Sequence, residues 1–183
     1  MTIEIRRVRS EEHEGAGRVT ALAYREFADN DDWDRYLEEI ADVGARAGVA
    51  LVLVAVEDGE ILGSATLELG ERIDDDDPPL APDEAHIRML GVGPEVRGRG
   101  VARALMEACF AKAAEAGRTR MTLHTTQRMR AARAMYETMG FERLPDRVFP
   151  DGFVLLTYER AIPRPSRSRS EPPRPSTRSR RPR

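Results

Sequence analysis

Ile3 to Val8 alternates apolar and charged residues with the period of a half-buried strand, and from Glu11 to Phe27 the residues Val19, Leu22, Ala23 and Phe27 recur at roughly helical spacing. A first strand and a first helix are expected there. A second amphipathic stretch, Trp33 to Ala47, sets Tyr36, Ile40 and Val43 on one face and is entered through Asp29-Asn30-Asp31-Asp32, whose short polar side chains suit a helix N-cap. Val49 to Val56 is rich in Val and Leu, as a buried strand is, and Asp58-Gly59 separates it from a second strand-like run, Ile61 to Leu69, which together predict a hairpin. Between Gly70 and Glu84, the run Asp74-Asp75-Asp76-Asp77-Pro78-Pro79 predicts an exposed, solvated loop, because two prolines cannot enter a central ladder.

His86 to Val92 reads as a further long strand. Gly100 to Ala116 reads as an amphipathic helix, with Leu105, Met106, Cys109, Phe110 and Ala113 turned inward and Gly117 at its C-terminal cap. Arg120 to Thr126 is another strand, Met129 to Met139 a short helix ending at Gly140, and Phe153 to Arg160 a last strand behind the Pro150-Asp151-Gly152 turn. The fold class is mixed α/β (α+β), with about seven strands, about four helices and no internal repeat.

Composition divides this chain of 183 residues into two parts. From Pro163 to Arg183 it is almost wholly Arg, Ser and Pro, with eight Arg against one acidic residue and no apolar side chain to offset the entropy of ordering it. One folded domain, 1–162, and a disordered basic tail, 163–183, are expected. Since the whole chain carries a formal charge of -3, the part before the tail is strongly acidic. That argues against a duplex-DNA footprint on the folded part and biases it toward cationic or amine ligands, leaving nucleic acid at most a weak, unspecific contact through the tail. The tail reads equally well as a solubilising extension.

Cys109 is the single cysteine, so no intramolecular disulfide forms, which fits a reducing cytoplasm. The N-terminus lacks an apolar signal-peptide core, and Val49 to Val56 is too short to span a bilayer, so a cytoplasmic protein without a membrane partner is expected. Three scattered histidines and one cysteine offer no ligand cluster, and no metal is expected.

The chemistry concentrates in Val92-Gly93-Pro94-Glu95-Val96-Arg97-Gly98-Arg99-Gly100-Val101-Ala102-Arg103, between a strand and a helix. The first amides of a helix lack intrahelical partners and carry the positive end of its dipole, so they bind a pyrophosphate where no side chain blocks the approach. Gly98, Gly100 and Ala102 keep it clear, and Arg97, Arg99 and Arg103 add charge within reach of phosphates. A Rossmann fingerprint fails because Arg103 stands where the third glycine or alanine belongs, and a P-loop fails for want of Gly-Lys-Ser/Thr.

Arg97-x-x-Gly100-x-Ala102 after Val92-Gly93-Pro94, with Met135-Tyr136-Glu137-Thr138-Met139-Gly140-Phe141 downstream, resembles the GNAT family of N-acetyltransferases. The similarity runs from about Ile3 to Arg160 and is specific from His86 to Phe141. It implies a central, mostly antiparallel mixed sheet splayed between strands 4 and 5, acetyl-CoA held at that gap as acyl donor, and direct transfer to an amine without a covalent enzyme intermediate. It makes the backbone of Leu90, Gly91 and Val92 the partner of the pantetheine arm, and the amides from Arg97 through Gly98, Arg99, Gly100, Val101 and Ala102 to Arg103 the pyrophosphate cradle. Tyr136 falls where the family's general acid protonates the departing thiolate, a role suited to a phenol; its other reading is a core tyrosine. His86 occupies the strand position where some members carry a glutamate base. It reads equally well as a satisfied strand histidine, with a water relay through Glu84 or a backbone carbonyl in its place. Relatives often carry Asn where this chain has Met129, which puts that cofactor contact in doubt. His124 reads as structural.

In this family the acceptor side is built by the first two helices and the loop before the fourth strand, here Arg25 to Arg35 and Gly70 to Glu84, both acidic. Asp29, Asp31, Asp32 and Asp74 to Asp77 would draw in a cationic amine, and Trp33 or Tyr36 would stack on it; the alternative is acidic solvent faces with Trp33 in the core. Small-molecule amines and peptide or protein amines are not separated by the sequence, nor is acetyl from a longer acyl group or the oligomeric state. A different class of function, a non-catalytic acyl-CoA sensor, would have no need of an acid beside the sulfur.

Overall fold

The computed structural model describes residues 2–28, 31–74, 77–150 and 152–163, with the backbone alone at 31 and 32. Residues 29 and 30 of the expected N-cap run and the side chains of 31 and 32, residues 75 and 76 of the loop, residue 151 of the turn and the tail from 164 lie outside what it describes.

One sheet organises the chain. Strands β1 (Glu4–Arg7), β2 (Leu51–Glu57), β3 (Glu60–Glu68), β4 (Glu84–Val92), β5 (Arg120–Thr125) and β8 (Val154–Ala161) lie side by side in that order, and the two-residue strands β6 (Glu142–Arg143) and β7 (Arg147–Val148) each pair with β8. Every pairing is antiparallel except that of β4 with β5. Among the described residues five α-helices flank it: α1 (His13–Arg25), α2 (Asp31–Ala41), α3 (Val43–Val49), α4 (Val101–Glu115) and α5 (Arg130–Thr138).

The unbroken apolar run of β2 follows from cover on both of its faces. Val52 and Val54 pack with Val8, Ala16 and Val43 under α1 and α3, while Leu53 and Ala55 join the main core beneath α4, with Leu105, Met106 and Cys109. The expected hairpin forms between β2 and β3, and Asp58 and Gly59 take the positive φ values, 50 and 86, that a tight right-twisted turn requires.

The structure corrects two expectations. The helix read from Trp33 to Ala47 is two helices, because Asp42 leaves helical geometry and its carboxylate accepts the Ala45 N–H at 2.9 Å as the N-cap of α3. The buried Arg46 then folds back to donate to the Glu39 and Ile40 carbonyls, each at 2.7 Å, at the end of α2. The mixed α/β class expected, with about seven strands and about four helices, is met by eight strands and five α-helices among the described residues, two of the strands being two-residue pieces. The loop before β4 is not simply a solvated connector: the Asp77 side chain is only 7% exposed and is held by Arg72 at 2.8 Å, Arg88 at 2.9 Å and Arg147.

The sheet opens where function was expected. Pairing of β4 with β5 ends at Ile87 and Leu123; beyond it β5 continues with β8 alone and β4 with β3 alone. Opposite Ala65, β4 carries two residues, Met89 and Leu90, a bulge in which Met89 takes φ 50. Such a bulge bends the strand and increases its twist. The backbone of β4 from Arg88 to Val92 therefore borders a gap instead of a neighbouring strand.

Candidate active site

The gap leads to the N-terminus of α4. Gly98 and Gly100 have φ values of 79 and 83, which side-chain-bearing residues rarely adopt, and a Cβ at either would meet nothing within 4 Å. Glycine thus serves two ends, the backbone turn and an open approach. Among the described residues no side chain caps this helix, and its backbone ladder begins with Ala104 N–H donating to Gly100 C=O at 3.0 Å. The amides of Val101, Ala102 and Arg103 precede that first bond and face the positive end of a 15-residue helix dipole. These features fit a pyrophosphate, which needs several converging N–H donors and no obstructing Cβ.

A cavity of about 490 Å³ runs from this cradle along the β4 gap. Leu90, Gly91, Val92, Arg97, Gly98, Gly100, Val101, Ala102 and Arg103 all line it, and so does Tyr136 from α5. Arg99 does not; its guanidinium turns away to Glu57 at 2.6 Å. Arg97 pairs with Glu26 at 2.7 Å and donates to the Ala23 carbonyl at 3.3 Å, tying the cradle to the end of α1. Tyr136 lies between Phe141 and Tyr158, with ring centroids 5.8 and 6.0 Å away. Burial, reinforced by Tyr158, raises its phenol pKa above the ordinary value, so it stays protonated.

A second cavity of about 580 Å³ adjoins the first, and Tyr24, His124 and Met129 line both. On its far walls stand Trp33 and Tyr36 from α2, edge to face with centroids 5.7 Å apart, and Phe149 and Phe153 from the segment between β7 and β8. Asp74 and Asp77 line it as the acidic loop suggested, but Arg88 and Arg147 line it with them. Burial alone would raise the Asp77 carboxyl; hydrogen bonds from Arg147 and Arg72 and the charge of Arg88 outweigh it and hold the pKa at about 2. Asp77 is thus committed to arginines.

His86 lines the second cavity from β4. It is 3% exposed, and its ring lies 4.8 Å from that of His124. Burial, then the neighbouring His124 ring and the charges of Arg72 and Arg88, push its pKa well below 6.5, so the imidazole is neutral at neutral pH. The two proposed proton-transfer groups thus face different cavities, Tyr136 the first and His86 the second.

The sequence reading left out the residues that join the cavities. Tyr24 carried no motif, His124 read as structural, and Met129 entered only as a missing asparagine; its sulfur accepts the Thr125 hydroxyl at 3.4 Å. The available signal was weak, an aromatic residue near the C-terminal end of the first helix and a histidine on the strand beside the gap.

A mixed sheet parted at one parallel pair, with a glycine-rich helix start facing the gap, is an architecture that fits a pyrophosphate-bearing ligand. The model of the acetyltransferase (GNAT) family matches residues 10–141, and the chain belongs to that family. It is 36% identical over 67 residues to a mouse protein named "Probable N-acetyltransferase family 8 member 5", which covers 37% of this chain and 30% of that protein. It is 31% identical over 114 residues to the Escherichia coli K12 "Uncharacterized N-acetyltransferase YjgM", covering 61% of this chain and 62% of that one. The match therefore spans less than two thirds of either curated relative. Among solved structures, the PaiA N-acetyltransferase of Thermoplasma acidophilum in complex with coenzyme A has the same fold, with a TM-score of 0.68 at 17% identity, over 88% of this chain and 99% of that one.

Proposed function

We propose that this protein transfers an acetyl group from acetyl-CoA directly to a primary amine of a small molecule or peptide, within a catalytic domain of residues 1–162. The observation that carries the reading is the pair of cavities meeting at Tyr24, His124 and Met129, one leading to the open start of α4 and the other to His86.

The amides from Gly98 to Arg103 and the side chains of Arg97 and Arg103 hold the pyrophosphate, and the unpaired backbone of Leu90 to Val92 holds the pantetheine arm. When bound, acetyl-CoA supplies an activated thioester carbonyl. The second cavity orients the amine so that its nitrogen meets that carbonyl at the junction, and His86 takes the proton the nitrogen loses as the C–N bond forms. Tyr136 donates a hydrogen bond to the sulfur as the C–S bond breaks. Burial keeps that phenol protonated, so its proton is in place when charge develops on sulfur. The products are an amide and a free thiol. That thiol gives the test: protein, acetyl-CoA and a broad amine and peptide panel are mixed, and free thiol is followed. Turnover with at least one acceptor, lost in Gly100→Glu, is expected. Binding of acetyl-CoA with no thiol released by any amine would overturn the enzymatic reading in favour of a sensor.

A further inference from the structure

His86 pairs in parallel register with Thr122, so both side chains stand on the same face of the sheet, and Glu84, two residues before His86, shares it. The three are joined: His86 Nδ1 lies 2.7 Å from Thr122 Oγ1, and Thr122 Oγ1 lies 2.6 Å from Glu84 Oε1. Glu84 Oε2 is occupied separately, by the Ala81 N–H at 3.2 Å and Arg120 at 3.3 Å. An ionised carboxylate only accepts, and a threonine hydroxyl has one proton to give. Thr122 gives it to Glu84, and its oxygen accepts from His86. An Nδ1–H imidazole satisfies this pattern, and it leaves the lone pair on Nε2 of a residue that lines the second cavity.

We propose that Thr122 and Glu84 are positioning residues that fix His86 with Nε2 as the proton acceptor for the bound amine. This rests on the reading of His86 as the base. Without the chain Thr122–Glu84, the neutral ring is free to place its proton on Nε2, and that tautomer has no lone pair to offer the amine. Once Nε2 is protonated, the same chain stabilises the imidazolium, since Nδ1–H points down a dipole ending in a carboxylate. The other titratable and charged groups facing the ring are His124 across β5, Glu68 across β3, Arg88 on its own strand, and Arg72 and Asp77 from the loop.

The test joins a spectroscopic measurement to kinetics. Nitrogen-15 NMR of imidazole-labelled protein, with His86→Gln identifying the signal, is expected to show the Nδ1–H tautomer in the native protein and a mixed or Nε2–H tautomer in Thr122→Val. With any amine that the native protein turns over, Thr122→Val and Glu84→Gln are expected to lower kcat at least about tenfold, displace the acid limb of the kcat–pH profile and leave KM nearly unchanged. Thr122→Ser, which keeps the hydroxyl, is expected to restore both readouts. An Nε2–H tautomer in the native protein overturns the positioning, whatever the kinetics. The predicted tautomers together with unaltered kcat in His86→Gln instead overturn the base reading, and the catalytic purpose of the positioning with it.

Discussion

Thr20 of α1 rests directly on the backbone of Gly91 in β4: a Cβ at residue 91 would lie 3.0 Å from both Cα and Cγ2 of Thr20. Its hydroxyl donates to or accepts from Ser64 on β3 at 2.5 Å, so the helix is pinned to two strands at one point. One turn further on, α1 supplies Tyr24 to the junction of the cavities. Gly91→Val should therefore destabilise the protein by about 1–3 kcal/mol through overpacking. It should also raise KM for the acyl donor by displacing that wall. Urea denaturation and steady-state kinetics check both; an unchanged midpoint contradicts the contact.

Asp77 makes a second prediction. Its pKa of about 2 lies below the ordinary 3.8, so its contribution is present above the ordinary value and is lost as pH falls through the folded one. That contribution is about 2 kcal/mol. The urea midpoint should fall between about pH 4 and pH 2, and less steeply in Asp77→Asn. At neutral pH, Asp77→Ala should cost about 3 kcal/mol by leaving Arg72, Arg88 and Arg147 short of a counter-charge.

The histidines act at milder pH. His86 and His124 are both depressed below 6.5, chiefly by burial, so once the pH drops below that value the unfolded chain takes up protons that the folded chain refuses. Stability should decline as pH falls below about 6.5, and His86→Gln should flatten the slope. Urea midpoints across that range decide it; equal slopes in the two proteins refute the assignment to His86.

Tyr136→Phe should lower kcat roughly 10- to 100-fold while leaving KM for the acyl donor nearly constant, because the hydroxyl gains its partner only as charge develops on sulfur. The native rate retained across pH in the variant would remove Tyr136 from the mechanism.

Cys109 is fully buried, and burial pushes its thiol up to about 12, so it should react with a thiol reagent only after denaturation, one equivalent per chain. Titration with and without guanidinium checks this. The thiol-release measurement then reads released coenzyme alone.

Local patterns and the glycine loop are legible in the sequence. The alternation in β1, the Asp58-Gly59 turn, the apolar face of α4 and the strand, loop and helix from His86 to Ala116 are each written in residues close along the chain, where periodicity and φ preference act. The break at Asp42 was less legible, since Tyr36, Ile40 and Val43 continue a helical face through it and only the carboxylate's bond to Ala45 ends the first helix.

What the sequence determined by itself was therefore the family, the order of the longer elements and a glycine-rich helix start, because these depend on short-range backbone geometry and neighbouring side chains. Tertiary structure alone decided what surrounds them. It turned Arg99 away to Glu57, closed three arginines on Asp77, set Thr122 and Glu84 against His86, and brought Tyr24, His124 and Met129 to the meeting of two cavities. Those contacts join strands and loops distant in sequence, and charge and hydrogen-bond partners across such distances are fixed only when the sheet register is.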